Sequence, residues 1–215
     1  MGDYAEFITP RDPRFDPSQK AIADWVKTDD IARCQEDRVT ELFIPIKSQC
    51  IGLLYGNHEE TFRKYNYGNV QQHICNNLGV DNLGFSCFVR LFFRRDNSSE
   101  THQITLALTH GSGSCITKGA KLNKLRRFMD DFNARIYGFG HMHDIIQDTK
   151  PYLSVSPKGK IKQVEAKGVV TGSWFRTYTQ GTIASYGEGK NYPPTTIGCP
   201  VFTIDVNEDS IDIDS

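Results

Sequence analysis

No stretch of this chain is long and apolar enough to span a bilayer, for which about 20 consecutive apolar residues are needed. Its hydrophobic runs are short and interrupted. The opening residues also lack the basic-then-apolar layout of a secretory leader. No C-x-x-C pair occurs: Cys34, Cys50, Cys75, Cys87, Cys115 and Cys199 are scattered. That spacing speaks against a disulfide framework and for reduced thiols. An excess of either charge is missing too, with Lys+Arg 25 against Asp+Glu 26 and a net charge of -1. Global attraction to nucleic acid is thereby disfavoured, while a local basic face is not. A cytoplasmic, intracellular globular protein is the expectation, with no membrane partner. At 215 residues and a hydrophobic fraction of 38%, the chain can bury one sizeable core, so a single domain over 1–215 is expected. Nothing in the pattern fixes the oligomeric state.

The chain opens Met1-Gly2-Asp3-Tyr4-Ala5-Glu6-Phe7, and a proline-punctuated loop follows over residues 8–17. Asp16-Pro17 reads as a helix start, with Ala21, Ile22, Trp25 and Val26 as its apolar stripe and Trp25 packed between helix and sheet. A second helix is expected from about Thr28 to Ile46, and a third from Asn69 to Leu78 with Gly79 as its stop. Residues 84–94 alternate in hydrophobicity and should pair with Thr101 to Thr109 across the polar loop 96–100. His73 and His102 stand alone in their elements and read as solvated or structural. Gly119 to Phe132 gives a helix with Leu122, Leu125, Met129 and Phe132 inward and a basic face of Lys118, Lys121, Lys124, Arg126 and Arg127. That face reads mainly as solvated charge. A strand over 134–139, a hairpin around Pro157-Lys158-Gly159, a long Gly- and Tyr-rich loop over 172–198 and a strand over 201–206 complete the chain. The acidic tail beyond (Glu208, Asp209, Asp212, Asp214) is expected to be solvated.

Chemistry concentrates where strands are expected to end. The apolar run Cys50-Ile51-Gly52-Leu53-Leu54-Tyr55 breaks at Gly56 and is followed at once by Asn57, His58, Glu59 and Glu60. Open α/β sheets present functional side chains at the carboxyl ends of strands. The second expected strand of the sheet repeats the pattern with Thr109-His110-Gly111, and the third runs into Gly140-His141-Met142-His143. Two histidines at i and i+2 point to one side if extended, and imidazole is the commonest ligand of transition metals. Asn-His, His and His-x-His at three strand ends are together far more specific than any one of them.

In that order, Gly56-Asn57-His58-Glu59, Thr109-His110-Gly111 and Gly140-His141-Met142-His143 resemble the motifs of the calcineurin-like metallophosphoesterases, and Gly2-Asp3 looks like that family's preceding Gly-Asp pair. The resemblance covers residues 2–144 and is loose beyond them. It implies a four-layer α/β sandwich of two mixed β-sheets flanked by helices, with two divalent transition metal ions (Mn, Fe or Zn) at strand ends and hydrolysis of a phosphate-ester substrate. By position, Asp3 would bridge the two metals, Asn57, His110 and His141 would complete one, and His143 would ligate the other. His58 would act outside the metal shell as catalytic proton donor or transition-state stabiliser. Glu59 would either orient the His58 ring or be a surface acid, and Glu60 would be solvated.

The family begins with an Asp-x-His motif on an earlier strand, and here Met1 stands directly before Gly2-Asp3. Because the other motifs look undegraded, an N-terminally shortened enzyme with its first strand missing is expected in preference to a one-metal or non-catalytic scaffold relative. A nuclease of the same fold would need a basic or aromatic groove, for which only the 118–127 face offers a hint. Residues 172–198 are expected near the mouth of the site, with Arg176, Tyr178 and Tyr186 read chiefly as surface packing.

Overall fold

The computed structural model describes residues 1–17, 22–156, 158–181 and 183–214. Ala21 and Pro157, expected in a helix stripe and a hairpin turn, lie outside them. The fold is α/β: a mixed five-stranded sheet, a separate two-stranded sheet, and helices packed on them.

The five-stranded sheet has the order β1-β2-β3-β5-β4, built from β1 (Ser86–Arg94), β2 (Thr101–Thr109), β3 (Ile136–Phe139), β4 (Ile145–Val155) and β5 (Ile161–Thr171). The two hairpins, β1–β2 and β4–β5, pair antiparallel, from Ser86↔Thr109 to Arg94↔Thr101 and from Ile145↔Thr171 to Val155↔Ile161. The central β2, β3 and β5 run parallel. Parallel neighbours need a crossover connection, and α4 (Lys118–Asp131) supplies it between β2 and β3.

Successive side chains of β3 face opposite ways, so Tyr137 and Phe139 meet α4 through Leu125 and Met129, whereas Ile136 joins Ile104 and Ile211 beneath the sheet. Ile211 belongs to β7 (Ser210–Asp214), which pairs antiparallel with β6 (Val201–Asp205). The expected solvated acidic tail is therefore partly structural. Its apolar alternation at Ile211 and Ile213 covers the sheet, and Asp209 in the hairpin turn meets Arg135 at 2.8 Å. This second sheet is an antiparallel pair where two mixed sheets were expected.

A second hydrophobic cluster joins the opening segment to α1 (Ile31–Phe43), α2 (Asn57–Asn66) and α3 (Val70–Leu78), through Phe7, Val39, Phe62, Val70, Ile74 and Leu78. α3 starts where expected, with Asn69 Oδ1 accepting from the Gln72 N–H, and stops at Gly79 in a left-handed conformation. α1 is shorter than expected: Pro45 falls in a 3-10 segment, Ile44–Gln49, that ends the α-helix at Phe43. The helix expected around Trp25 does not form among the described residues. Residues 22–30 are turns, and Trp25 is 54% exposed instead of core. Residues 50–55 are extended but make only one bridge, Leu53↔Asn82, in place of the expected strand.

Candidate metal centre

The side chains singled out in the sequence come from separate parts of the chain. β2 and β3 are parallel neighbours with Thr109 opposite Phe139, so the residues just beyond their carboxyl ends, His110 and His141, lie side by side. Their rings meet edge to face at 5.2 Å. From the other hydrophobic cluster, Gly56 caps α2 and places Asn57 and His58 in its first turn. The opening segment lies across this turn, with φ values of 84° at Gly2 and 56° at Asp3. Neither Gly2 nor Gly56 has room for a side chain. A Cβ on Gly2 would stand 2.6 Å from His110 Nδ1, and one on Gly56 would overlap Asp3 Oδ1 and stand 2.6 Å from His110 Cε1.

Asp3 is the hub. Its Oδ1 accepts the His58 backbone N–H at 2.9 Å, so the carboxylate rests on the positive N-terminus of α2. Its Oδ2 lies 3.2 Å from His110 Nε2 and 3.9 Å from His141 Nδ1. Among the described residues, Asp3, His110 and His141 offer ligand atoms that all fall within 4.8 Å of one another. Asn57 Oδ1 adds a fourth donor, 3.1 Å from His110 Nε2.

The polar bookkeeping of this cluster leaves a place for a proton or a cation. His110 Nδ1 is 2.7 Å from the Met1 carbonyl oxygen, which can only accept, so the network assigns a proton to Nδ1. Nε2 then faces two oxygens, Asp3 Oδ2 and Asn57 Oδ1, and three acceptors converge unless a proton or a metal stands between them. His141 Nδ1 is buried without a hydrogen-bond partner, although it points at Asp3. Ligand atoms about 2.0–2.2 Å from a shared ion lie about 3–4 Å from each other, as Asp3 Oδ2 does from His110 Nε2 and His141 Nδ1 and Asn57 Oδ1 does from His110 Nε2. The residues fit a divalent transition metal.

Charge is distributed to match. Burial opposes ionisation of Asp3, but the His110 and His141 rings outweigh it and hold the carboxyl well below its usual range. Burial would lower the pKa of His58, yet Glu6 and Asp3 override it and raise it to about 9. The Glu6 carboxylate is 3.2 Å from His58 Nδ1, while Nε2 faces Asp3 Oδ2 at 4.0 Å. Burial, reinforced by His141, lowers the pKa of His143.

Several expectations need revision. His141 and His143 do not sit on an extended segment; both adopt left-handed conformations, with φ of 66° and 49°, in the bend after β3. His143, expected at the other ion, lies outside the Asp3–His110–His141 cluster, which leaves that expectation as it stood. It stacks at 5.8 Å on Phe175 of the long loop, which thus reaches the site's edge. Glu59 is neither a surface acid nor a partner of the His58 ring. It is 3% exposed, and its oxygens accept the backbone N–H groups of Asp3, Tyr4 and Gly56 at 3.0, 2.8 and 2.8 Å. The basic face of α4 is not uniformly solvated: Lys121 is buried against Asp144 at 3.2 Å, and Lys124 donates to the Ser112 carbonyl at 2.7 Å. Glu6 was not singled out in the sequence, since an acid in a loop carries no periodicity or motif by which to pick it. No family model, characterised protein or solved structure matches the chain.

Proposed function

We propose that this chain is a metal-dependent phosphoesterase, a hydrolase holding a divalent transition metal among Asp3, Asn57, His110 and His141 and cleaving a phosphomonoester or phosphodiester. The observation that carries this is the convergence of Asp3, His110 and His141, with ligand atoms within 4.8 Å of one another and an unpartnered imidazole nitrogen among them. A carboxylate, an amide oxygen and two imidazoles form a hard-to-borderline donor set suited to Mn, Fe or Zn. The resemblance to the calcineurin-like family adds a second ion beside the first, with Asp3 and His143 among its ligands. It also adds a four-layer sandwich around the sheet whose strand ends bear the site. Metal of this kind supplies Lewis acidity toward a phosphoryl oxygen and brings the pKa of water down to about 7.

The protein's own groups do the rest. Asp3, fixed on the N-terminus of α2, concentrates negative charge where cations are to be held. His58, anchored through Nδ1 by Glu6, keeps Nε2 turned toward Asp3, where it would hand its proton to the leaving oxygen or neutralise charge on the phosphoryl group. The 172–198 loop borders the substrate through Phe175 against His143. One observation favours a simpler variant, a one-metal or non-catalytic relative: the cluster accounts for the ligands of a single ion.

Calorimetric titration of chelator-treated protein with Mn²⁺ and Zn²⁺, followed by assays on an aryl phosphate monoester and diester, decides between these. The expected result is metal binding and metal-dependent hydrolysis, both abolished by Asn57→Ala and by His141→Ala. Binding without turnover leaves the non-catalytic variant. Unchanged binding and turnover in both substitutions would dispose of the site altogether.

A further inference from the structure

Glu59 is a carboxylate that the hydrolytic chemistry does not use, and it is buried with no cationic side chain paired to it among the described residues. Taking it out of water is costly unless its lone pairs are filled. Here they are filled by backbone alone: Oε2 accepts from Asp3 and Gly56, and Oε1 from Tyr4. The bond to Gly56 is the glutamate half of a capping box at the start of α2, an ordinary role for a glutamate three residues into a helix. The bonds to Asp3 and Tyr4 are not part of any cap, since they reach 56 and 55 residues back along the chain.

We propose that Glu59 is a positioning residue for the metal centre: it clips the opening segment onto α2 so that the Asp3 carboxylate meets His110 and His141. The proposal rests on the metal reading above. Asp3 adopts a left-handed conformation (φ 56°), which aspartate enters more readily than most residues but which still needs contacts to hold it in one direction. Two anchors impose it, one on each side of the residue. Glu59 grips the Asp3 N–H, and the His58 N–H grips the Asp3 Oδ1. Both anchors come from the first turn of one helix, so the angle between the Asp3 backbone and its carboxylate is set by α2. Without the first, the segment is still held at its ends, by His110 on the Met1 carbonyl and by Gln35 on the Phe7 N–H, but nothing grips the Asp3 backbone, and the second anchor alone cannot fix the direction of Oδ2. Groups that orient a ligand in this way typically contribute 10- to 100-fold in metal affinity when removed, on the order of a full ligand's geometric error.

A graded series tests this, since the clip has a definite stereochemistry. Glutamine can put its one oxygen at the Oε2 position and keep the Asp3 and Gly56 bonds, but its amide nitrogen then confronts the Tyr4 N–H. Aspartate is one methylene too short to reach. Mn²⁺ affinity, measured calorimetrically, should therefore fall about 10-fold in Glu59→Gln and about 100-fold in Glu59→Asp. The core variant Ile74→Val, buried in the same hydrophobic cluster, reports the effect of loosening α2 and α3 without touching the clip and should bind as the unsubstituted protein does. Equal losses in Ile74→Val and Glu59→Gln, or none in Glu59→Asp, would overturn the proposal while leaving the metal site standing. Absence of binding in the unsubstituted protein would instead strike the metal reading itself. A second measurement needs no variant: the Asp3 and Tyr4 amide protons should exchange with solvent far more slowly than those of neighbouring loop residues. Fast exchange at both in the metal-free protein would also overturn the clip, even if the substituted chains failed to fold.

Discussion

Gly56 is where one methyl group separates an intact site from a broken one. Its own φ of -114° is open to any residue, so alanine there meets no backbone penalty. The harm comes wholly from what the added carbon would occupy, namely the space of Asp3 Oδ1 and a position 2.6 Å from His110 Cε1. Overpacking of this kind typically costs about 1–3 kcal/mol and is relieved by moving the softer partner. Of the two neighbours, His110 directly follows β2 of the five-stranded sheet whereas Asp3 lies in loop backbone, so Asp3 is the one to shift, and its displacement breaks the cluster. Gly56→Ala is therefore expected to lower stability in urea melts by about 1–3 kcal/mol and to eliminate detectable Mn²⁺ binding in the same preparation. Retained affinity would mean that the cluster tolerates a shift of Asp3 and is less organised than its contacts imply. Glycine at this position was visible in the sequence as the break after an apolar run and as the start of the Gly56-Asn57-His58-Glu59 stretch; why it must be glycine comes from the Asp3 carboxylate, far off in sequence, which no local pattern encodes.

Where local rules and tertiary packing agree, the elements were legible. α3 carried its cap and its stop in Asn69 and Gly79, and the β1–β2 hairpin carried strict alternation. α2 was not expected, because its first residues, Asn57 to Glu60, read as functional groups just beyond a strand end. Its apolar face reduces to Phe62, and what fixes it is the buried Glu59. Trp25, expected as the buried anchor of a helix, is instead 54% exposed in a run of turns among the described residues. Lys121 on α4 was hidden in the same way, as one more lysine on a charged face. It lies buried against Asp144, whose Oδ1 also accepts the Ile145 N–H where β4 begins. Removing one member of a buried pair strands the other, at about 3–5 kcal/mol, and exposed Lys118 at 3.9 Å compensates only in part. Lys121→Met should thus lose about 3 kcal/mol in urea melts, and adding Asp144→Asn should restore most of it. No recovery in the double variant would mean that the lysine acts through packing alone. Between α1 and α3, burial pushes the Glu36 carboxyl up, and His73 at 3.2 Å only partly offsets this. Since the folded state holds that proton more tightly than the unfolded chain, stability declines as pH rises from the unfolded value of about 4.3 through the raised folded one. Glu36→Gln should remove that decline, so the variant gains on the unsubstituted protein between pH 4 and 7 in melts at each pH. A difference constant across that range would contradict the assignment.

The proposed centre would draw its ligands from two hydrophobic clusters. Asp3 and Asn57 hang on the one holding α1, α2 and α3, while His110 and His141 end strands of the other. An ion gripped by all of them would tie the clusters together, so its binding energy becomes folding energy. For a ligand that binds only the native chain, 100 times its dissociation constant stabilises by about 2.7 kcal/mol. A chain of this length shifts its melting temperature by about 2–4 °C per kcal/mol, so a rise of about 5–10 °C is expected in Mn²⁺ or Zn²⁺ at that excess. The rise should vanish in His141→Ala and in Asn57→Ala alike, although one comes from the sheet and the other from α2. It should also shrink below about pH 6, because an imidazole must give up its proton before it can ligate. Scanning calorimetry with and without metal measures all three. If the shift survived His141→Ala but not Asn57→Ala, the ion would be held by α2 and the opening segment alone, and the two clusters would not be joined through it.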